Sequence, residues 1–338
     1  MKVTVYIAVL FWCNAFLLAQ EPDWVKGKSR EYSDEFYLVG VGSGDTRQDA
    51  ESSARAKIAE VFSVNIKEDI SVNKSETLRN TGGQTTAESR ELTRSRIDLG
   101  LKKTLEGTEI AEVWQNPKDA TYYALAVLDR EKAAVKMSER IRELDQEVLR
   151  LKTEVDTTSG KIARLKFMLL VKSLMADRRG TDSDLRIVSA AAKGIEPPYS
   201  YERENSAIAS FLQNDFLVGI TGDGYGTEVL TQTVTDLFTS KGFTVNRTPG
   251  KMADMLIRIS SSIDPPSEPV GDWYYCRWHL EVNASDASNG QVILSSSENG
   301  KSGQLSIDES KRKAIYEMNK KVVVLAGKIM NRLMGEKE

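Results

Sequence analysis

The sequence predicts an α+β protein built from two small α/β modules, with antiparallel or mixed sheets, joined by a long central helix. Apolar residues recur at helical spacing from Ala134 to Leu169, and segments with strand-like alternation lie on both sides of this stretch. The length of 338 residues is enough for two compact domains. We therefore expect a signal peptide over residues 1–19, a first module over 20–130, the helical segment over 131–176, a linker over 177–204 and a second module over 205–338.

The first 19 residues have the pattern of a secretory signal peptide. Lys2 precedes an apolar run that ends at the small residue Ala19. We expect cleavage after Ala19 and export to the periplasm, with association with the outer membrane as a further option. Lipidation of Cys13 is an alternative, although Trp12 stands where a lipoprotein signal needs a small residue. Without the signal, Cys276 is the only cysteine, which rules out an internal disulfide.

The first module is predicted to contain a strand, a helix and an antiparallel meander. A strand over Phe36–Gly44 leads through a glycine turn into a helix over Asp49–Phe62, whose alanines suit close packing on a sheet. Alternating apolar residues predict another strand over Val64–Val72, followed by a polar loop. A turn that contains Pro117 joins two final strands, over Thr108–Gln115 and Thr121–Leu128.

This N-terminal segment resembles the Lpp-twenty lipoprotein family of bacterial cell envelopes. The resemblance rests on the order and spacing of Pro22-Asp23-Trp24-Val25, the glycine-containing stretch Val39–Gly44, the alanine-rich helix, and the closing stretch Tyr122–Arg130. It covers about residues 22–135. The resemblance implies a small α+β module at the envelope with no assigned catalytic residues.

The apolar residues of the central helix follow a heptad repeat. β-Branched residues at the a positions and leucines at the d positions favour a parallel two-stranded coiled coil. We therefore predict a homodimer through a heptad seam formed by Ile141, Leu144, Val148, Leu151 and Val155. In such a dimer, Arg140 would meet Asp145 of the other copy, and Glu147 would meet Lys152.

One segment interrupts this repeat. Thr157-Thr158-Ser159-Gly160 puts a polar residue at a d position, and its glycine costs about 1 kcal/mol relative to alanine inside a helix. The stretch is therefore either a continuous helix of roughly 50 Å with a weak point, or two shorter helices that fold back as a hairpin. We favour the continuous helix, followed by a charged loop over Asp177–Asp184.

The second module is predicted to be an α/β domain whose two helices cover one face of a sheet. The predicted strands are Phe216–Ile220, Phe243–Asn246, Ala253–Ile263, Asp272–Ala284 and Gln291–Ser297, and the predicted helices are Thr227–Ser240 and Ile307–Met334. The order of elements is similar to the small α/β domain of outer-membrane activators of peptidoglycan synthases and to the N-terminal domain of the periplasmic protein TolB. Thr231–Asp236, Gly242–Val245 and Ala253-Asp254 carry that likeness.

No residue pattern predicts a catalytic site, a metal site or a cofactor. His279 is the only histidine, and a strand would place it and Cys276 on opposite faces. Neither Gly40–Asp45 nor Gly222–Thr227 completes a nucleotide-binding fingerprint, so we predict a tight turn at the first and a flexible loop at the second. The net charge of −3 does not favour nucleic acid, and we expect no small-molecule substrate.

The stretch Trp273–Leu280 is the candidate partner-binding site. A strand period of two places Trp273, Tyr275, Arg277 and His279 on one face. If helices cover only the other face, these residues are exposed, and they include types enriched in binding hot spots; the alternative is that both faces are buried. We predict a secreted envelope protein without catalytic activity that acts as an assembly or protein-interaction component with envelope proteins as partners. The alternatives are a regulator of a cell-wall synthase and a cell-wall glycan hydrolase.

Overall fold

A computed structural model describes residues 21–62, 107–247, 253–264 and 268–333. These residues contain a three-stranded sheet, a five-stranded sheet and several helices, which confirms the predicted α+β class. The chain divides into two compact units. The first comprises Met1–Glu139 and Gly180–Ile195, and the second comprises Arg140–Arg179 and Glu196–Glu338.

The sheet of the first unit is antiparallel, in the order β1-β3-β2. Its strands are β1 (Tyr37–Gly44), β2 (Glu109–Gln115) and β3 (Tyr122–Asp129), all close to the predicted bounds. The helix that follows β1, here α1, is described over residues 47–62. The strand predicted over Val64–Val72 and the loop after it lie outside the described residues.

Helix α1 packs directly on the backbone of β1. A Cβ atom added at Gly42 would overlap the backbone of Ala50 and Ala54, and one added at Gly40 would overlap the carbonyl of Ala54. The glycines therefore serve close packing of an alanine-containing helix, as predicted, but Gly40, Gly42 and Gly44 lie within strand β1 and not in the predicted tight turn. Side chains at these two positions would push the helix off the sheet.

Trp24 covers the other face of the same sheet. It lies in a single 3₁₀ turn, Asp23–Lys26, and is 1% exposed. Its ring packs with Leu125 and Val127 of β3, and its indole N–H donates a 2.7 Å hydrogen bond to Glu112 Oε2. The tryptophan of the Pro22-Asp23-Trp24-Val25 motif thus anchors the start of the described chain to the module.

The central segment is not a continuous helix. It forms two helices of 28 residues each, α2 (Arg130–Thr157) and α3 (Lys161–Val188), separated at Thr158-Ser159-Gly160. The favoured continuous helix was therefore wrong, and the fold-back alternative is what occurs. The physical reason is that the polar d position and the glycine remove both the packing and the helix propensity at one point.

The second half of α2 and the first half of α3 pack antiparallel to each other. Val148 and Leu151 of α2 share a core cluster with Val171 and Met175 of α3, so later residues on one helix meet earlier residues on the other. Asp145 makes an ion pair with Arg178 of the same chain instead of meeting Arg140 of another copy. The apolar repeat is satisfied within one chain.

Helix α3 continues through the segment that was expected to be a charged loop, Asp177–Asp184. Its charges pair at helical spacing, as Asp182 does with Arg186, and Arg178 is buried against α2. The sequence analysis also missed helix α4 (Tyr201–Ser210), whose N-cap Ser200 accepts a hydrogen bond from the Arg203 N–H. A π-helical turn, Phe211–Asp215, follows it.

The sheet of the second unit has five strands in the order β5-β4-β6-β7-β8. Strand β4 is parallel to both β5 and β6, whereas the pairs β6–β7 and β7–β8 are antiparallel. The strands are β4 (Leu217–Gly224), β5 (Thr244–Asn246), β6 (Met255–Asp264), β7 (Tyr274–Asp286) and β8 (Val292–Gln304). Strands β7 and β8 each run for 13 residues, and β8 is longer than predicted.

Helices α5 (Thr227–Ser240) and α6 (Ile307–Leu333) cover one face of this sheet, as predicted. Phe238 of α5 and Val322 of α6 are completely buried in the core that the helices share with the strands. Gly242 has φ +88° just after α5, a left-handed conformation that is common for a glycine at the end of a helix.

Candidate interaction surface

The residues of β7 alternate between a buried and an open face. Cys276 and Leu280 are 0% exposed and Trp278 is 7% exposed, because they point toward the core under α5 and α6. On the other side, Trp273 and Arg277 are exposed, and Tyr275 and His279 are half-buried. The period-two assignment of the four candidate residues to one face therefore agrees with the structure. We call this side of β7 and β8 the open face.

One end of the open face carries an apolar patch, formed by Val270, Trp273, Tyr275 and Leu305. Trp273 is 43% exposed, and Val270 and Leu305 are each more than 60% exposed. Trp273 pairs with Val270 through backbone hydrogen bonds and stacks on Tyr275 with ring centroids 6.5 Å apart. Continuing the β7–β8 register past the Tyr274–Gln304 pair puts Leu305 opposite Trp273. Three large apolar side chains are thus left to solvent in one place.

Two glycines of β8 make room for the aromatic residues of β7. Gly303 pairs with Tyr275 on the open face, and a Cβ atom there would lie 2.5 Å from the tyrosine ring. Gly300 pairs with Trp278 on the core face, where a Cβ atom would overlap the indole. The two aromatic rings therefore lie over the backbone of β8. Sequence reasoning about β7 alone missed this, and Gly300 and Gly303 were the available signal.

Basic and polar side chains continue the open face beyond the apolar patch. Arg277 pairs in register with Lys301, whose Nζ lies 4.0 Å from the centroid of the Tyr275 ring. His279 pairs with Asn299, and its Nδ1–H donates to Asn299 Oδ1 at 2.6 Å, which fixes the ring orientation. Lys301 and Asn299 belong to the same surface as the candidates, although the sequence analysis did not name them.

The residues of the heptad seam lie inside the chain. Exposure within the single chain is 8% for Val155 and 2% or less for the other four, which are Ile141, Leu144, Val148 and Leu151. The surface that was predicted to pair two copies is already covered by the same chain. We therefore no longer expect these side chains to face a second copy.

The remaining candidate features have structural explanations. Cys276 is buried, and its backbone N–H donates to Ser310 Oγ. Gly222 and Gly224 lie at the end of β4 instead of in the flexible loop that was predicted, and Ser261 holds the following turn through hydrogen bonds to Tyr225. Within the described ranges, no group of three or more His, Cys, Asp or Glu side chains is placed to bind a metal ion.

A buried polar cluster lies between α2, α3 and the segment before α4. Arg178 Nε is 3.1 Å from Asp145 Oδ1, and the Tyr199 hydroxyl donates to the same oxygen at 2.9 Å. Burial, together with this hydrogen bond, raises the pKa of Tyr199. Burial also raises the pKa of Tyr201, whose ring packs edge-on against Tyr199. This cluster is structural, because its groups are enclosed by the helices.

The fold and the surface define an α+β protein. Helices cover one face of its five-stranded sheet, and the open face carries exposed aromatic and basic residues. Residues 22–129 match the family model of the LPP20 lipoproteins, which is the Lpp-twenty family named above. The resemblance is confirmed for this segment, and it indicates an exported protein of the bacterial cell envelope. No curated protein matches the sequence. None of the helices in the described residues is long and apolar enough to cross a bilayer.

Solved structures that are similar to this chain include three bacterial proteins. The secreted protein HP1454 of Helicobacter pylori is 16% identical, with a TM-score of 0.41 over 89% of this chain and 99% of that one. A putative lipoprotein of Caulobacter crescentus is 12% identical, with a TM-score of 0.27 over 39% of this chain and 98% of its own. Lipoprotein GNA1162 of Neisseria meningitidis is 10% identical, with a TM-score of 0.24 over 32% and 99%.

Proposed function

We propose that this protein is a secreted, non-catalytic component of the bacterial envelope that binds another envelope protein through the open face of β7 and β8. The observation that carries the proposal is the apolar patch around Trp273, on a sheet whose other face already holds the core. Exposed apolar patches on soluble proteins are characteristic of interaction sites, since they favour association.

The composition of the open face supports a protein as the partner. Trp, Tyr and Arg are the residue types most enriched in interface hot spots, and here Trp273, Tyr275 and Arg277 follow one another on one side of one strand. Polar side chains such as His279 and Asn299 border them, which resembles the apolar centre and polar rim of a typical interface. The surface lies on the uncovered face of two long strands, which suits a macromolecule better than a small ligand.

The experiment is capture of envelope proteins on the immobilised full chain, followed by measurement of Kd with the purified partner. Trp273→Ala should weaken binding at least tenfold, because truncation of a central hot-spot residue costs about 2 kcal/mol or more. Arg277→Ala should also weaken it. Thermal stability should stay nearly unchanged in both variants, since both side chains are exposed.

Tyr316→Ala is the matched control. Tyr316 is 58% exposed on α6, on the opposite side of the sheet, and it too has a lysine over its ring, with Lys320 Nζ at 4.4 Å. Its truncation should leave binding unchanged. A loss of some 3 to 5 kcal/mol of stability in Trp273→Ala would instead mean that the tryptophan belongs to the core, and equal binding by wild type and Trp273→Ala would contradict the proposal.

We also propose that the mature chain begins near Gln20 without a lipid. The short apolar run that ends at Ala19 supports this cleavage site. Mass spectrometry of the protein from its native envelope measures it directly. A diacylated N-terminal Cys13 would contradict both the cleavage site and the unmodified terminus.

A further inference from the structure

We infer that the partner presents an acidic, extended segment to the open face, with a carboxylate held by Arg277 and Lys301 and a nearby apolar side chain held by the apolar patch. This inference rests on the proposed function and adds the chemistry of the partner.

Arg277 and Lys301 are directly opposed in the β7–β8 ladder, on the exposed side. Side chains in this relation have Cβ atoms about 4.5–5.5 Å apart, and like charges there are destabilising. Neither residue has an ion-pair partner among the described residues. A carboxylate bound between them would turn this repulsion into two attractive contacts.

The net charge of the row favours a carboxylate over a phosphate group. Asp264 of β6 is the register partner of Arg277 on the other side of β7, so the row Asp264–Arg277–Lys301 carries one positive charge in excess. The single excess positive charge is neutralised by one carboxylate. A phosphate dianion would leave the row with a net negative charge, because Asp264 already offsets one of the two basic side chains. His279 and Asn299, in the next row, add neutral hydrogen-bonding groups.

The spacing along the strand indicates an extended segment. Trp273 and Arg277 are four residues apart on the same side of the chain, which corresponds to about 13–14 Å in an antiparallel strand. An extended partner has the same rise per residue, so its apolar and acidic side chains would lie two to four residues apart, given the reach of arginine. The apolar group would then contact Trp273 while the carboxylate lies between the two basic side chains.

The test is selection of a displayed library of random 12-residue peptides on the full-length protein. Wild type should enrich peptides that have an acidic residue two to four positions from an apolar one. The double variant Arg277→Gln with Lys301→Gln should lose the acidic preference and keep the apolar one. Arg258→Gln is the matched control, because Arg258 is an exposed arginine elsewhere on the same sheet face, and it should select like wild type.

Affinity measurements on one selected peptide complete the test. The double variant should bind it at least tenfold more weakly at low salt, and the peptide with Gln in place of its acidic residue should bind both proteins equally. Rising salt should weaken binding to wild type only. An acidic preference that survives in the double variant, or peptides without acidic residues, would overturn the inference. The proposed function fails separately, if Trp273→Ala leaves partner binding unchanged.

A lipid source of the anion is distinguished by vesicles. Wild type should bind vesicles that contain phosphatidylglycerol no better than the double variant does. Vesicle binding that requires Arg277 and Lys301 would assign the anion to a membrane and overturn the acidic-segment inference.

Discussion

The buried ion pair between Arg178 and Asp145 gives the sharpest test of the helical hairpin. Arg178 is 2% exposed, and its side chain reaches Asp145 through two contacts, Nε–Oδ1 at 3.1 Å and Nη2–Oδ2 at 3.4 Å. Replacing the arginine by methionine keeps much of its apolar volume and removes the charge. The carboxylate of Asp145 then stays buried without a cation beside it and keeps the hydrogen bond from the Tyr199 hydroxyl.

The expected cost of Arg178→Met is about 3–5 kcal/mol, the usual effect of removing one partner of a buried pair. That is a large part of the 5–15 kcal/mol that stabilises a typical domain. The double variant Asp145→Leu with Arg178→Met should recover most of it, because no charge is left uncompensated. A residual cost of about 1–3 kcal/mol should remain, since the Tyr199 hydroxyl loses its acceptor, and adding Tyr199→Phe should remove that cost.

Urea unfolding followed by helical circular dichroism measures these differences. Arg179→Met is the control, since Arg179 is the next residue and lies over the Tyr201 ring, with its guanidinium 4.4 Å from the centroid. A cation–π contact contributes about 0.5–1 kcal/mol at a partly exposed site, so its loss should be small. If Arg178→Met cost less than about 1 kcal/mol, the pair would be solvated and the antiparallel packing of α2 on α3 would be refuted.

Three further predictions follow from the same structure. Burial raises the pKa of Tyr199 above its unfolded value of about 10, so its contribution to stability should be fully present below pH 10 and fall above it, by at most about 1.4 kcal/mol per pH unit. Urea midpoints measured between pH 9 and 11.5 should fall more steeply for wild type than for Tyr199→Phe, and equal slopes would refute this. Gly42→Ala should lower the free energy of unfolding by about 3 kcal/mol or more, because the added Cβ overlaps the backbone of α1. Gly160→Ala is the control and should leave stability unchanged, because the atom nearest to its Cβ is 3.9 Å away. A Gly42→Ala variant as stable as wild type in urea unfolding would contradict the packing of α1 on β1. Light scattering of the purified chain should show no dimer that depends on the heptad seam, and a dimer abolished by Leu144→Asp without loss of folding would restore the coiled coil.

The sequence was informative where one periodicity dominated. Strands β1, β3 and β6 and helices α5 and α6 lie within about two residues of their predicted bounds, because each has a clear apolar pattern and all but β3 have a glycine or proline near an end. The alternation in β7 also predicted which side of Trp273–His279 is open. Local patterns of this kind depend on neighbours within the same segment.

The errors arose where a residue's partner lies far along the chain. The heptad repeat of α2 shows that an apolar stripe must be covered, but the repeat is the same whether the cover is a second copy or α3. For the same reason the sequence did not show whether Asp145 pairs with Arg140 of a second copy or with an arginine of its own chain. The chain reverses near Gly160, and this reversal brings Arg178 to Asp145. Likewise, β7 alone did not show that Lys301 and Gly303 of β8 complete the open face.

The heptad seam and the apolar patch differ in whether the same chain covers them. The heptad seam is an apolar stripe that this chain covers itself, and its residues are at most 8% exposed. The apolar patch also lies on strands and turns of the described structure, yet Trp273 and Leu305 stay exposed. They lie near Arg277 and Lys301, which have no ion-pair partner among the described residues. Both the patch and the like-charge pair oppose stability and solubility of the isolated chain. Their coincidence on one side of one sheet is explained most directly by a partner that covers the apolar side chains and supplies the missing negative charge.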